Sequence, residues 1–95
     1  LLASKNLKSH MDKVEAIAWH FLGQRGEDSV TRKDIFDAYS KARMQKPQNL
    51  TDVINSSVRR GHLIDAPEKK DGQKAWSITP TGERYIEERL QLTQQ

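Results

Sequence analysis

The sequence predicts a mainly helical α+β domain, a three-helix core with a β-hairpin and one further helix, and three observations carry that prediction. Apolar residues recur at intervals of three and four in three separate sets: Met11, Val14, Ile17, Ala18, Phe21 and Leu22, then Ile35, Ala38, Tyr39 and Ala42, then Leu50, Val53, Ile54 and Val58. Each set lines one face of a helix. Beyond Gly61 the pattern changes to two short runs, 62–65 and 74–79, on either side of Asp71-Gly72, a dipeptide suited to the two-residue turn of a hairpin. Finally, 95 residues suffice for one domain with a single modest core.

Taken in order, residues 1–10 (LLASKNLKSH) have neither an initiating methionine nor a clear period. They read as a flexible N-terminal segment or linker of a longer or processed chain, with the domain proper over 11–92 and a frayed end at 93–95. The first helix runs from Met11 to about Gly23, with Trp19 at the boundary of its stripe and His20 exposed. A loop with Gly26 and Glu27-Asp28 follows, and Val30 supplies a short first strand. Thr31 opens the second helix: its hydroxyl can accept from a first-turn N–H, and Asp34 three residues on completes a capping box. Phe36 falls at the edge of this helix, and Asp37 and Lys41 are spaced to pair on its surface. The helix ends near Arg43, because Pro47 disfavours a helical Lys46. The third helix starts at Asn49 or Thr51, both good N-caps, and stops at Gly61. Thr79-Pro80-Thr81-Gly82 then turns the chain into a last helix, Glu83 to Leu92, which packs Tyr85, Ile86, Leu90 and the stem of Arg89 inward.

Composition narrows the function classes. There is no cysteine, hence no disulfide framework and no thiolate zinc site, and a cytoplasmic or nucleoid setting is expected. No apolar run approaches the roughly 20 residues of a membrane span, and Leu1-Leu2-Ala3 is too short for a signal-peptide core. No nucleophile motif or glycine-rich phosphate loop is present, since Gly23 to Gly26 reads as a helix-ending loop. His10, His20 and His62 lack metal-ligand spacing. A binding module without enzymatic activity, cofactor or metal is therefore expected. The net charge of +3 and pI near 9.3 are only mildly basic, but the excess is concentrated. Between Lys41 and Lys74 eight basic residues (Lys41, Arg43, Lys46, Arg59, Arg60, Lys69, Lys70, Lys74) stand against Asp52, Asp65, Glu68 and Asp71.

The stretch Lys46 to Leu63, KPQNLTDVINSSVRRGHL, is where charge and helical pattern meet. Opposite its apolar stripe lie Asn49, Thr51, Asp52, Asn55, Ser56 and Arg59. Such short hydrogen-bonding side chains suit base edges in a major groove better than the Glu and Lys of an idle surface do.

Two segments then carry a family resemblance. VRRGHLI, where the third helix passes through glycine into a strand, resembles the corresponding junction of winged helix-turn-helix domains. Ile78-Thr79-Pro80-Thr81-Gly82-Glu83 resembles the "leucine, threonine, x, x, glycine" segment that enters the last helix of the MarR-like and PadR-like winged-helix regulators. The likeness spans about Met11 to Leu92. It departs from those regulators in the longer, basic MQKPQ turn and in lacking long flanking helices, so the oligomeric state is left open, a homodimer included.

The resemblance implies a winged helix-turn-helix that binds double-stranded DNA, for transcription regulation or DNA targeting within a larger protein, with the third helix in the major groove. The hairpin is then a wing, 67–74, on the backbone or in the minor groove. Asn49, Thr51, Asn55 and Ser56 become candidates for base edges, Asn55 being suited to a bidentate contact with adenine. Lys46, Arg59, Lys69, Lys70 and Lys74 become phosphate contacts, Gln48 of the turn is a further DNA-binding candidate, and Thr31 with Arg32 offers the start of the second helix. Asp52 would orient Lys46 or Arg59, or read a cytosine amino group; Arg60 would bind helix carbonyls or a ligand. The alternative is a winged helix that binds protein partners, the other domains of a longer parent chain among them, and not DNA.

Overall fold

The computed structural model describes residues 9–23 and 25–90. Helix α1 (His10–Gly23) leads to strand β1 (Val30–Thr31), helices α2 (Arg32–Lys41) and α3 (Leu50–Arg59), strands β2 (Leu63–Asp65) and β3 (Ala75–Ile78), and helix α4 (Pro80–Arg84), which runs on as a π-helical turn, Tyr85–Arg89. The strands form one antiparallel sheet in the order β1-β3-β2, with Val30 opposite Trp76 and Leu63 opposite Ile78. The domain is thus mainly helical α+β, as the sequence predicts.

Helix α1 is the centre of the fold, buried on two sides. Val14, Ile17, Ala18 and Phe21 pack with Val30, Ile35, Tyr39, Ile54, Leu63 and Trp76, which come from β1, α2, α3 and the hairpin strands. On its other side Ala16 and Trp19 meet Ile86 and Leu90. Trp19 is therefore not at a boundary but 1% exposed, with its Nε1–H donated to Glu87 Oε2 at 3.2 Å, and His20 is half-buried, not exposed. A one-sided stripe could not reveal the second face, which exists only because α4 and the π-helical turn return across α1.

Local chemistry sets most of the helix ends. Ser9 Oγ accepts from the Asp12 N–H at 3.1 Å, so α1 is capped at Ser9 and begins at His10, ahead of the boundary expected at Met11. The expected capping box of α2 is present: Thr31 Oγ1 accepts from the Asp34 N–H, and Asp34 Oδ2 from the Thr31 N–H, both at 3.1 Å. Asp37 pairs with Lys33 at 3.0 Å, not with Lys41. Of the two candidate caps for α3, Asn49 serves, its Oδ1 accepting from the Asp52 N–H at 3.2 Å. At the far end Gly61 takes φ 81°, its N–H reaches Val58 O and the His62 N–H reaches Ser57 O. These two bonds close α3 in the Schellman pattern that favours glycine. Ser57, absent from the expected stripe, is fully buried on α3 with Leu50 and Ile54. The hairpin tip is the expected two-residue turn, with Asp71 at φ 53°, Gly72 at φ 75° and both backbone bonds between Lys70 and Gln73 at 2.9 Å.

The last helix starts earlier than expected. Thr79 is its N-cap and Pro80 its first residue, so 79–82 is helix start and not a preceding turn. Thr79 Oγ1 accepts from the Gly82 N–H at 2.9 Å and donates to Gly61 O at 2.6 Å, while the Thr79 N–H donates to His62 O at 3.0 Å. The Gly61-His62 and Thr79-Gly82 segments, singled out separately in the sequence, are two sides of one contact. Arg89, expected to lay its stem inward, is exposed, whereas Ile86 and Leu90 are buried and Tyr85 half-buried. The frayed end expected at 93–95 and most of the segment 1–10 lie outside the described residues.

Candidate nucleic-acid interface

The exposed face of α3 and the start of α2 lie side by side. Arg32 Nε donates to Thr51 Oγ1 at 3.2 Å across the two helix starts, and both residues are exposed. Asn49 is exposed while capping α3, and Asn55 stands exposed one turn beyond Thr51. Arg59 turns back to Ser56 Oγ at 2.9 Å and not to Asp52. In the connection before α3, Gln48 is exposed and Lys46 holds its ammonium 4.6 Å over the Phe36 ring of α2, a cation–π contact. Phe36, expected at the edge of its helix, is 40% exposed and adds an apolar element to this surface.

Other candidates sit elsewhere. Thr31 is 3% exposed and both its hydroxyl and its N–H are spent on the capping box, which corrects its expected role as an outside contact. On the hairpin, Lys69 is exposed, and Lys74 is exposed beside Asp65 at 3.5 Å with its ammonium 5.6 Å over Trp76. Lys70 does not project from the hairpin as expected. It turns inward and donates to Glu27 Oε1, to Ser29 O at 3.1 Å and to Asp34 Oδ2 at 2.8 Å.

Arg60 departs furthest from expectation, its side chain turning away from the helix carbonyls to two carboxylates of α1. Its guanidinium makes a bidentate pair with Glu15, Nε to Oε2 at 2.8 Å and a terminal nitrogen to Oε1 at 2.6 Å, and also reaches Asp12 Oδ1 at 3.2 Å. His62 Nδ1 lies 2.8 Å from Glu15 Oε1, and the Tyr85 hydroxyl donates to Asp12 Oδ1 at 2.7 Å. Glu15 is fully buried. The network ties α1, the end of α3, the start of β2 and the π-helical turn, and so fixes the angle at which α3 leaves the core. Nothing in the spacing of Asp12 and Glu15 marks them as buried. The available signal was two carboxylates three apart on the long helix, with Arg60 and His62 flanking Gly61.

Asp34 joins the two ends of the surface, and its ionisation is testable. Burial raises its pKa, but hydrogen bonds from Lys70 and from Thr31 outweigh that and hold it below the ordinary 3.8. A carboxyl depressed in the folded state contributes stability that is fully present above its unfolded pKa and is lost as pH falls through the folded value. Acid titration of unfolding free energy below about pH 4 should therefore fall less steeply in Asp34→Asn than in the parent. Equal slopes would show that the carboxylate contributes nothing.

Among the described residues no helix is long and apolar enough to cross a membrane, and no group of three or more His, Asp or Glu side chains is placed to hold a metal ion. Compared with known proteins, the chain matches no family model, no curated protein and no solved structure.

Proposed function

We propose that this chain is a winged helix-turn-helix domain that binds double-stranded DNA, with α3 as its recognition helix and the hairpin 67–74 as its wing. The observation that carries the reading is the junction of Arg32 with Thr51, which makes one continuous polar surface of the α2 start and the exposed side of α3. On that surface Asn55 is the side chain best suited to a base edge, since its amide can meet adenine N6 and N7 together. Asn49 and Thr51 each have one polar atom engaged within the protein, and Ser56 accepts from Arg59. Arg32, Lys46 and Arg59 are exposed cations on α2, α3 and the connection between them, and Lys69 is exposed at the hairpin tip; all suit phosphates. The element order, the three-stranded antiparallel sheet and the contact between Thr79 and the Gly61-His62 corner all support the winged-helix assignment.

A mobility-shift titration with random-sequence duplex at two salt concentrations tests the reading. Binding should be evident at low salt and weaken steeply as salt rises, and Lys69→Ala should reduce the logarithmic salt slope by roughly one. Asn55→Ala should leave random-duplex binding nearly unchanged and cost about 1–3 kcal/mol on a selected high-affinity site. If no duplex is retained at low salt, the alternative takes its place: a protein-binding winged helix. Phe36 and Ile64 favour that alternative, being 40% and 55% exposed, with Ile64 on an edge strand.

A further inference from the structure

Residues 67–74 form the hairpin tip, and Lys70 alone among them is not exposed. The pairings of Lys74 with Asp65 and of Lys70 with Gln73 are internal to the hairpin. The strands below the tip are held by the pairing of β1 with β3 and by Ser77 Oγ on Asp28 O, and among the described residues Lys70 is the one side chain of 67–74 that reaches beyond the hairpin. Its ammonium meets the Glu27 carboxylate, Ser29 O and Asp34 Oδ2, and it stands 5.8 Å over the Phe21 ring. Glu27 belongs to the loop after α1 and Asp34 to the first turn of α2, whose neighbour Arg32 meets Thr51 of α3.

We infer that Lys70 is a positioning residue: it clamps the wing to the loop after α1 and to the start of α2, fixing where the tip presents Lys69, and is not itself a phosphate contact. The inference rests on the DNA-binding reading for its functional consequence, and on the hairpin alone for its structural one. Glu27 also pairs with Arg25 at 3.1 Å, so two carboxylates face two cations and the cluster has no net positive charge to offer a phosphate. A wing held this way presents Lys69 without an ordering cost on binding, which is the advantage of preorganisation.

Glu27→Gln separates the possibilities by sign. The substitution removes a negative charge, so Coulomb attraction alone would strengthen duplex binding, and it would do so further if Lys70 were thereby freed to bind phosphate. The clamp predicts the reverse, a loss of roughly three- to tenfold in affinity. Lys70→Met should lose as much or more, and Lys70→Arg, which can still meet both carboxylates, should recover most of it. Amide hydrogen exchange of 67–74 in the free protein supplies a readout independent of DNA. Faster exchange confined to the tip in Lys70→Met and Glu27→Gln supports the clamp. Unchanged exchange, or tighter duplex binding by Glu27→Gln, overturns it. If the parent protein binds no duplex but the tip exchanges faster in both variants, the DNA reading fails and the clamp stands as a protein-surface device.

Discussion

Arg60→Met will lower the unfolding free energy by about 3–5 kcal/mol, the cost of leaving a buried carboxylate without its cation. Glu15 is fully buried, and both its oxygens lie on the Arg60 guanidinium; after the substitution only the His62 imidazole remains beside it. Asp12 fares better, since it keeps the Tyr85 hydroxyl at 2.7 Å. Domains of this size have about 5–15 kcal/mol in total, so the single variant removes a large share. Replacing both partners, Glu15→Leu with Arg60→Met, should recover most of the loss, because a desolvated ion pair contributes little over well-packed apolar side chains. Urea unfolding of the parent, the two single variants and the double variant measures this as a coupling energy. A loss below about 1 kcal/mol in Arg60→Met would refute the account of a buried carboxylate left without its cation.

The second large effect is expected at Gly82. In the first turn of α4, alanine would favour the helix by about 1 kcal/mol. Sterics decide otherwise: a Cβ at Gly82 would lie 2.3 Å from His62 O and 2.9 Å from Ile78 Cγ1. The nearer atom is backbone, fixed by its bond from the Thr79 N–H at 3.0 Å, and cannot rotate away. Gly82→Ala should therefore be destabilising by about 2 kcal/mol net, a fall of roughly 10 °C in melting temperature for a domain of this size. Gly72 makes the control, for a Cβ there meets nothing within 4 Å and only its φ of 75° favours glycine. Asparagine tolerates that conformation, so Gly72→Asn should cost well under about 1 kcal/mol while Gly82→Asn costs more than Gly82→Ala. Equal losses at the two positions would refute the steric account.

Much of this protein was legible because local rules govern it. Capping by Thr31 with Asp34, the stop at Gly61 and the Asp71-Gly72 turn each depend on residues within a few positions of one another, and each appears where the sequence puts it. The apolar stripes of α2 and α3 were readable for the same reason: a period of three and four is a property of one helix. The candidate site was legible only as a set of residue types. Asn49, Thr51, Asn55 and Arg59 are exposed on α3, but Thr31 and Lys70 turn inward, because a capping oxygen and an ammonium near two carboxylates gain more from internal partners than from solvent.

The sequence by itself determined the element order, the helix ends at the Thr31–Asp34 capping box and at Gly61, and the concentration of basic residues between Lys41 and Lys74. Tertiary structure alone decided that α1 is buried on two sides, that Arg60 closes on Asp12 and Glu15, and that Lys70 holds the hairpin to α2. Those pairings join residues 36 to 48 positions apart. No periodicity encodes them; they follow from the close approach of elements whose packing is settled by the core as a whole.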